Sequence, residues 1–415
     1  MTYLRFEVKN ITIWITLLLS LLLFSACDQV LVATTPFPPA ATEAYKIIPP
    51  VDSPAASPQP TATQVPLDAQ TYPSTVNPLN GLPVKDTANL NLPPVLVSIS
   101  NFPPTARPQA GLSFSPIVFE IFIGDGMTRN LAVFYGDYPA RVTAVGSQST
   151  AAEATIGPIR SGRISYEKFR KLYNGLLVMA SAYKAVADEL NQFTNIFGSD
   201  STDVNSALMD SSRMKSIALS GEKGIKDNAL SGMVFNPVPP EGGKTAHSLW
   251  LFYSNLNQIF WRFNEQDGTY HRFQDNADGA TFIEATDRLT GQPLQAANVI
   301  LLFVKHQVLG KYNIDLDLLY KKKESAFLFR DGQLFPIFWT TRSEEYEQTT
   351  GRLRPIRFID QQGNPVALKP GQTWIHTLPL GLEPWETVNS EKYNQLMAGN
   401  VKGSGYWALR FKDPT

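Results

Sequence analysis

Hydrophobic and polar residues change their pattern three times along this chain. Behind Arg5 and Lys9, residues Ile11–Ala26 form a charge-free apolar run that ends at Cys27. Residues 28–76 interleave proline with Ala, Thr, Ser and Gln and carry no periodic stripe. From Asn77 onward, apolar residues recur at strand and helix periods. Val95–Ser100, introduced by Pro93-Pro94, reads as a strand. Ile117–Ile123 and Thr128–Tyr135 read as a hairpin around Gly124-Asp125-Gly126. Ser165–Tyr173 and Tyr183–Phe193 predict amphipathic helices flanking an apolar strand at Gly175–Ser181, and short helices are expected within 199–245. Ser248–Phe260 places Leu249, Phe252, Leu256 and Ile259 along one helical stripe, which predicts a further helix.

From about residue 261 the pattern turns to strands and turns. Asn298–Val308 reads as one strand, and Ser325–Phe329 with Leu334–Trp339 flank an Asp331-Gly332 hairpin turn. Leu353–Ile359, Val366–Leu368 and Thr373–Leu378 follow, separated by Gly363-Asn364 and Pro370-Gly371. The expected fold class is α+β: an N-terminal mixed α/β domain, then a mostly antiparallel β domain, behind a lipoprotein signal and a disordered linker. The boundaries are 1–26 for the signal, 27–76 for the anchor and Pro/Thr/Ala-rich linker, 77–257 and 258–382 for the domains, and 383–415 for a helical or loose tail.

Composition sharpens the picture at the N-terminus. Cys27 is the only cysteine, preceded by the small residues Ser25-Ala26. A basic start, a short apolar core and small residues at the cut make a bacterial lipoprotein signal, with Cys27 as the lipidation site. The alternative is an uncleaved span, but sixteen residues fall short of the roughly 20 needed to cross a bilayer. Ten of the 31 prolines fall in 28–76, so this stretch cannot bury enough apolar surface to fold. Extended at about 3.1 Å per residue, it reaches up to roughly 150 Å from the membrane. A net charge of −1, without basic excess, argues against nucleic acid. With the thiol lipidated, catalysis or metal binding through cysteine is excluded.

Several stretches together resemble the YerB-like lipoprotein family, bacterial domains of unknown function. They are Asn77–Pro83, Ala106–Leu112, Ile117–Glu120 with Met127–Arg129, Ile156–Arg163, Gly291–Leu294 with Asn298–Ile300, Phe329–Gly332 and Pro370–Ile375. The resemblance spans about 77–380 in order. It implies an N-terminal and a C-terminal family domain behind a lipid anchor, with no established chemistry. Where relatives carry a His/Gly-rich stretch, this chain has Ala180–Lys184.

The candidate chemistry is arginine in Gly/Pro loops. Arg107 follows the first strand, and Arg160 and Arg163 occupy a turn leading into a helix, whose N-terminus favours an anion. These three residues are read either as lining one anion pocket, with Glu120, Arg129 and His247 as further candidates for it, or as tying loops to internal carboxylates. Glu120 alternates with Val118 and Phe122 on one strand face, and a turn at Gly124–Met127 would set it diagonal to Arg129 as a structural pair. His247 is read as a capping or packing residue before a helix, with a catalytic base as the less favoured role. His271, His306 and His376 are scattered singly, and no spacing supplies a zinc site. No nucleophile elbow, zinc-protease motif or Walker loop is present. The expectation is a lipid-anchored, extracytoplasmic protein of the cell membrane with a binding or accessory role in the envelope and no cofactor. The alternative is an enzyme acting on pyrophosphate-linked envelope precursors. Expected partners are the membrane, through Cys27, and an anionic envelope ligand or an envelope protein, with no nucleic acid.

Overall fold

The computed structural model describes residues 73–139, 155–221, 230–276, 278 and 281–414. They belong to one compact unit, Ala62–Thr415. The lipoprotein signal, Cys27 and nearly all of the linker lie outside the described residues. Among the described residues, no helix is long and apolar enough to cross a membrane.

The architecture is mostly β. Two strand runs that proline and glycine punctuate most sharply fall where their patterns end: β1 (Val95–Ser100) and, far downstream, Thr373–Leu378. β2 (Ile117–Gly124) and β3 (Met127–Phe134) make the expected hairpin. α1 (Tyr166–Tyr173), β4 (Leu176–Met179), α2 (Lys184–Ala187), β5 (Phe193–Asn195) and α3 (Arg213–Gly221) follow. The predicted Tyr183–Phe193 helix is therefore a single turn, after which the chain enters a parallel strand.

The predicted helix at Ser248–Phe260 is instead a hairpin of β6 (Ser248–Ser254) and β7 (Asn257–Asn264). Leu249, Leu251 and Tyr253 enter one core, while Trp250 and Phe252 enter another. With both faces covered, the strand loses the alternation that distinguishes it from a helix. Leu256, assigned to the helical stripe, sits half-exposed at the hairpin turn.

β8 (Thr269–Asp275), β9 (Phe282–Glu284), β10 (Asn298–Phe303), β11 (Glu324–Arg330), β12 (Gln333–Thr340), α4 (Glu345–Thr350), β13 (Arg357–Ile359) and β14 (Thr373–Leu378) continue the chain. Asn298–Val308, read as one strand, breaks after Phe303, and His306–Gly310 joins a separate small hairpin. The tail is not loose. β15 (Trp385–Glu386), α5 (Tyr393–Ala398) and β16 (Tyr406–Arg410) complete the second sheet and its outer core.

An eleven-stranded sheet runs β13-β12-β11-β10-β14-β2-β3-β1-β4-β5, with Lys244–Thr245 added to β12. A seven-stranded sheet runs β9-β8-β7-β6-β16-β15, with Gln295–Ala296 added to β8. β14 lies parallel to both β10 and β2, so strands from both halves of the chain share one sheet. The 257/258 division falls inside the β6–β7 hairpin.

Every residue of β2 is buried, because both faces of the large sheet are covered. Val118 and Phe122 join the core beneath the second sheet, with Leu251, Ile259 and Trp261. Ile117, Phe119 and Ile121 join the opposite core with Phe169, Leu172 and Tyr173 of α1. Phe119 lies 4.4 Å from Phe169 and 5.6 Å from Tyr173 by ring centroids. Truncating it to alanine costs about 3–5 kcal/mol.

Candidate functional site

The segment 157–163 is stapled across the carboxyl end of β1. Ser100 N donates to Pro158 O at 2.8 Å, and Arg160 N to Ser98 O at 2.9 Å. Gly157, at φ +139°, permits the close approach: a Cβ there would meet Ile159 N at 2.9 Å. The adjacent ends of parallel β1 and β4, the first residue pairs of β3 and the start of α1 meet at this point. Strand carboxyl ends beside a helix N-terminus are where α/β layers build sites.

Arg129, Arg160 and Arg163 come together here. Arg129 Nη1 donates to Ser161 O at 2.8 Å, and Arg160 Nη1 to Val204 O at 2.7 Å. Arg163 Nη1 reaches Gly162 O at 3.4 Å, and its buried Nε has no partner. The buried Ser165 Oγ, just before α1, is also without a partner. Among the described residues, these guanidinium groups meet backbone carbonyls and the Tyr166 hydroxyl, and no carboxylate lies within 4 Å of them. Burial, then repulsion from Arg163 and Arg160, pushes Arg129 down to about 9, with Tyr166 opposing. Burial, then Arg163, lowers Arg160, and burial lowers Arg163. Cations desolvated without a counter-charge destabilise the empty site, and an arriving anion offsets that cost through charge-assisted hydrogen bonds.

Arg107 does not converge on this cluster. Its Nε donates to Asn101 O at 3.1 Å and its Nη1 to Asp275 O at 2.6 Å, with Asp275 Oδ1 at 3.9 Å. Burial, partly opposed by Asp275, holds it at about 10. It lines a separate cleft of about 220 Å³ with Gln274, Asp275 and Ile283, and its buried Nη2 is unpartnered.

The expected Glu120–Arg129 pair is absent. A bulge between Phe122 and Gly124 pairs Phe122 with Thr128, so Arg129 lies opposite Ile121 and faces the helix side of the sheet. Glu120 faces the other way, as its alternation with Val118 and Phe122 predicts. Its Oε2 accepts from Arg272 Nη2 and from Trp374 Nε1, each at 3.0 Å. Its Oε1 accepts from Thr128 Oγ1 at 2.7 Å and Asn101 Nδ2 at 3.1 Å. Burial pushes this carboxyl up, and Arg272 with the Thr128 and Trp374 donors more than reverses that, leaving it below the usual range.

His376 completes the buried network. Trp261 Nε1 donates to its Nε2 at 3.0 Å, so the neutral ring carries its proton on Nδ1. That nitrogen faces Tyr253 OH at 3.3 Å and Glu120 Oε2 at 3.6 Å. Burial holds the imidazole at about 4. The network was not legible beforehand: Arg272 and Glu120 stand 152 residues apart. The only local signal is polar Arg272 and Gln274 at inward positions of β8.

His247 is exposed before β6, its N donating to Gly405 O at 2.7 Å and its ring 5.5 Å from Tyr406. It joins neither cluster. Among the described residues, no group of His, Cys, Asp and Glu is arranged to hold a metal ion.

Comparison with known proteins follows the same outline. Residues 79–218 match the family described as Protein of unknown function (DUF3048) N-terminal domain, and residues 249–375 match its C-terminal domain. The chain is 24% identical over 322 residues to "Putative lipoprotein YerB" of Bacillus subtilis (strain 168). That match covers 73% of this chain and 86% of YerB. The crystal structure of the YerB protein superposes with a TM-score of 0.54 at 21% identity, over 73% of this chain and 96% of that one, which shows a shared fold. The chain belongs to the DUF3048 family of proteins of unknown function.

Proposed function

We propose that this protein is a lipoprotein held at the extracytoplasmic face of the cell membrane through Cys27, where it binds an anionic envelope ligand at Arg129, Arg160 and Arg163. The observation that carries the reading is the gathering of three partly or fully buried guanidinium groups with no carboxylate within 4 Å of them among the described residues. The order of basic start, apolar run and Ser25-Ala26-Cys27 supports the anchor, as does the similarity to YerB.

A binding role is favoured over catalysis on pyrophosphate-linked precursors. Glu120 is fully buried on the opposite face of the sheet and bound to Arg272. Asp200 and Asp203, the carboxylates at the recess beside Arg160, accept hydrogen bonds from Thr202 N and Asn205 N of their own loop, so neither is held toward the arginines as a general acid or base. A thermal-shift series with phosphate, pyrophosphate, acetate and chloride tests the reading. Phosphate and pyrophosphate are expected to raise the Tm of the full chain, and Arg160→Ala to reduce that rise. An identical response in Arg160→Ala, or no response to any anion, contradicts it.

A further inference from the structure

The charge and surroundings of the arginine cluster narrow the ligand class, in an argument that rests on the anion-binding reading above. Three guanidinium groups held together repel one another. A carboxylate returns one negative charge, whereas a phosphate monoester carries about −1.5 to −2 at pH 7 and presents three acceptor oxygens. The planar donor forks of arginine match those oxygens in bidentate fashion. The unpartnered Arg163 Nε and Ser165 Oγ add buried hydrogen-bonding groups that a phosphate can satisfy.

Beside the cluster lies a recess whose walls include Arg160, Ser161, Ala180, Ala207, Phe197 and Val204. Its apolar side is unusually open: Phe197 is 72% exposed and Val204 51% exposed. Two carboxylates, Asp200 and Asp203, stand at the same recess. They are turned to their own loop, Asp200 accepting from Thr202 N at 2.8 Å and Asp203 from Asn205 N at 2.8 Å. Their charge disfavours a ligand that is anionic along its whole length. It leaves room for one whose charge is concentrated at the end that meets the arginines.

We propose that the ligand is a phosphate monoester with an apolar substituent, the phosphate held by Arg129, Arg160 and Arg163 and the substituent lying on Phe197 and Val204. Calorimetric titration of the full chain with inorganic phosphate and with phenyl phosphate tests this. Phenyl phosphate is expected to bind about tenfold more tightly, which is about 1.4 kcal/mol. Phe197→Ser, at an exposed position that leaves the fold intact, should abolish that advantage and leave inorganic phosphate binding unchanged. Arg163→Ala should weaken both ligands. Equal affinity for the two, or an advantage that survives Phe197→Ser, overturns the inference while leaving the anion site standing. If neither phosphate binds, the anion-binding reading itself fails. Displacement of phenyl phosphate by phosphatidic acid in phosphatidylcholine vesicles would assign the ester to a bilayer lipid, and displacement only by soluble esters would assign it to a soluble ligand.

Discussion

Arg129 and Arg272 are both buried arginines in opposite electrostatic settings. Arg272 meets the Glu120 carboxylate at 3.0 Å, whereas Arg129 meets a carbonyl and two other arginines. Arg272→Met strands a buried carboxylate and is expected to destabilise the fold by about 3–5 kcal/mol. Arg129→Met removes an uncompensated charge; its stability should change by no more than about 1 kcal/mol, while phosphate binding is lost. Denaturant melts of the two variants check this, and a collapse of Arg129→Met with Arg272→Met intact would contradict it. The mispairing of Glu120 with Arg129 shows the limit of reading at this scale. The face of Glu120 was legible from alternation, but a single bulged residue reverses its partner's face, and bulges leave no trace in a period-two pattern.

The buried network also sets a pH dependence. His376 in that network, and His306 outside it beside Val304 O, are both held by burial at about 4 against an ordinary 6.5, so as pH falls the unfolded chain takes up protons first. Stability therefore declines from about pH 6.5 toward 4. Glu120, whose carboxyl lies below its ordinary value, contributes stability that is present above 4.5 and lost as pH falls through its lower folded value. The signs agree. Unfolding free energy should drop by about 2 kcal/mol or more between pH 6.5 and 4.5, and His376→Gln should flatten that slope. A flat profile over this range would be inconsistent with buried neutral histidines.

Among the elements, legibility followed punctuation. β1 and β14 were read to the residue because Pro93-Pro94 and Pro370-Gly371 mark their starts. The Asp331-Gly332 turn was read because both residues adopt positive φ, as that hairpin requires. The β6–β7 hairpin was misread because Trp250 and Phe252 pack against Tyr393 of α5, a layer supplied by the chain's last residues. That dependence gives a test. Deleting 383–415 removes β16 from the side of β6 and uncovers Trp250, Phe252 and Phe260. The truncated chain is expected to lose cooperative unfolding, and one that melts at the full-length temperature would refute the tail's structural role.

For the whole molecule, the seam between β2 and β14 joins residues 117–121 to 373–377. Expressing 77–246 alone would turn the wholly buried β2 into an open edge, a template for aggregation. We expect that fragment to be insoluble, with solubility and a cooperative melt as the contrary result. Beyond the described residues, Cys27 carries the placement at the membrane. Metabolic labelling with a fatty acid should mark the full chain and not Cys27→Ala, and equal labelling would remove the anchor.

The arginine cluster is the claim on which the functional account turns, and phosphorus NMR addresses it without relying on stability. Inorganic phosphate added to the full chain should show a broadened, shifted resonance that is restored to its free position when Arg129→Met, Arg160→Ala and Arg163→Ala are combined. A phosphate signal that is the same with the native chain, with the triple variant and in buffer would contradict the account.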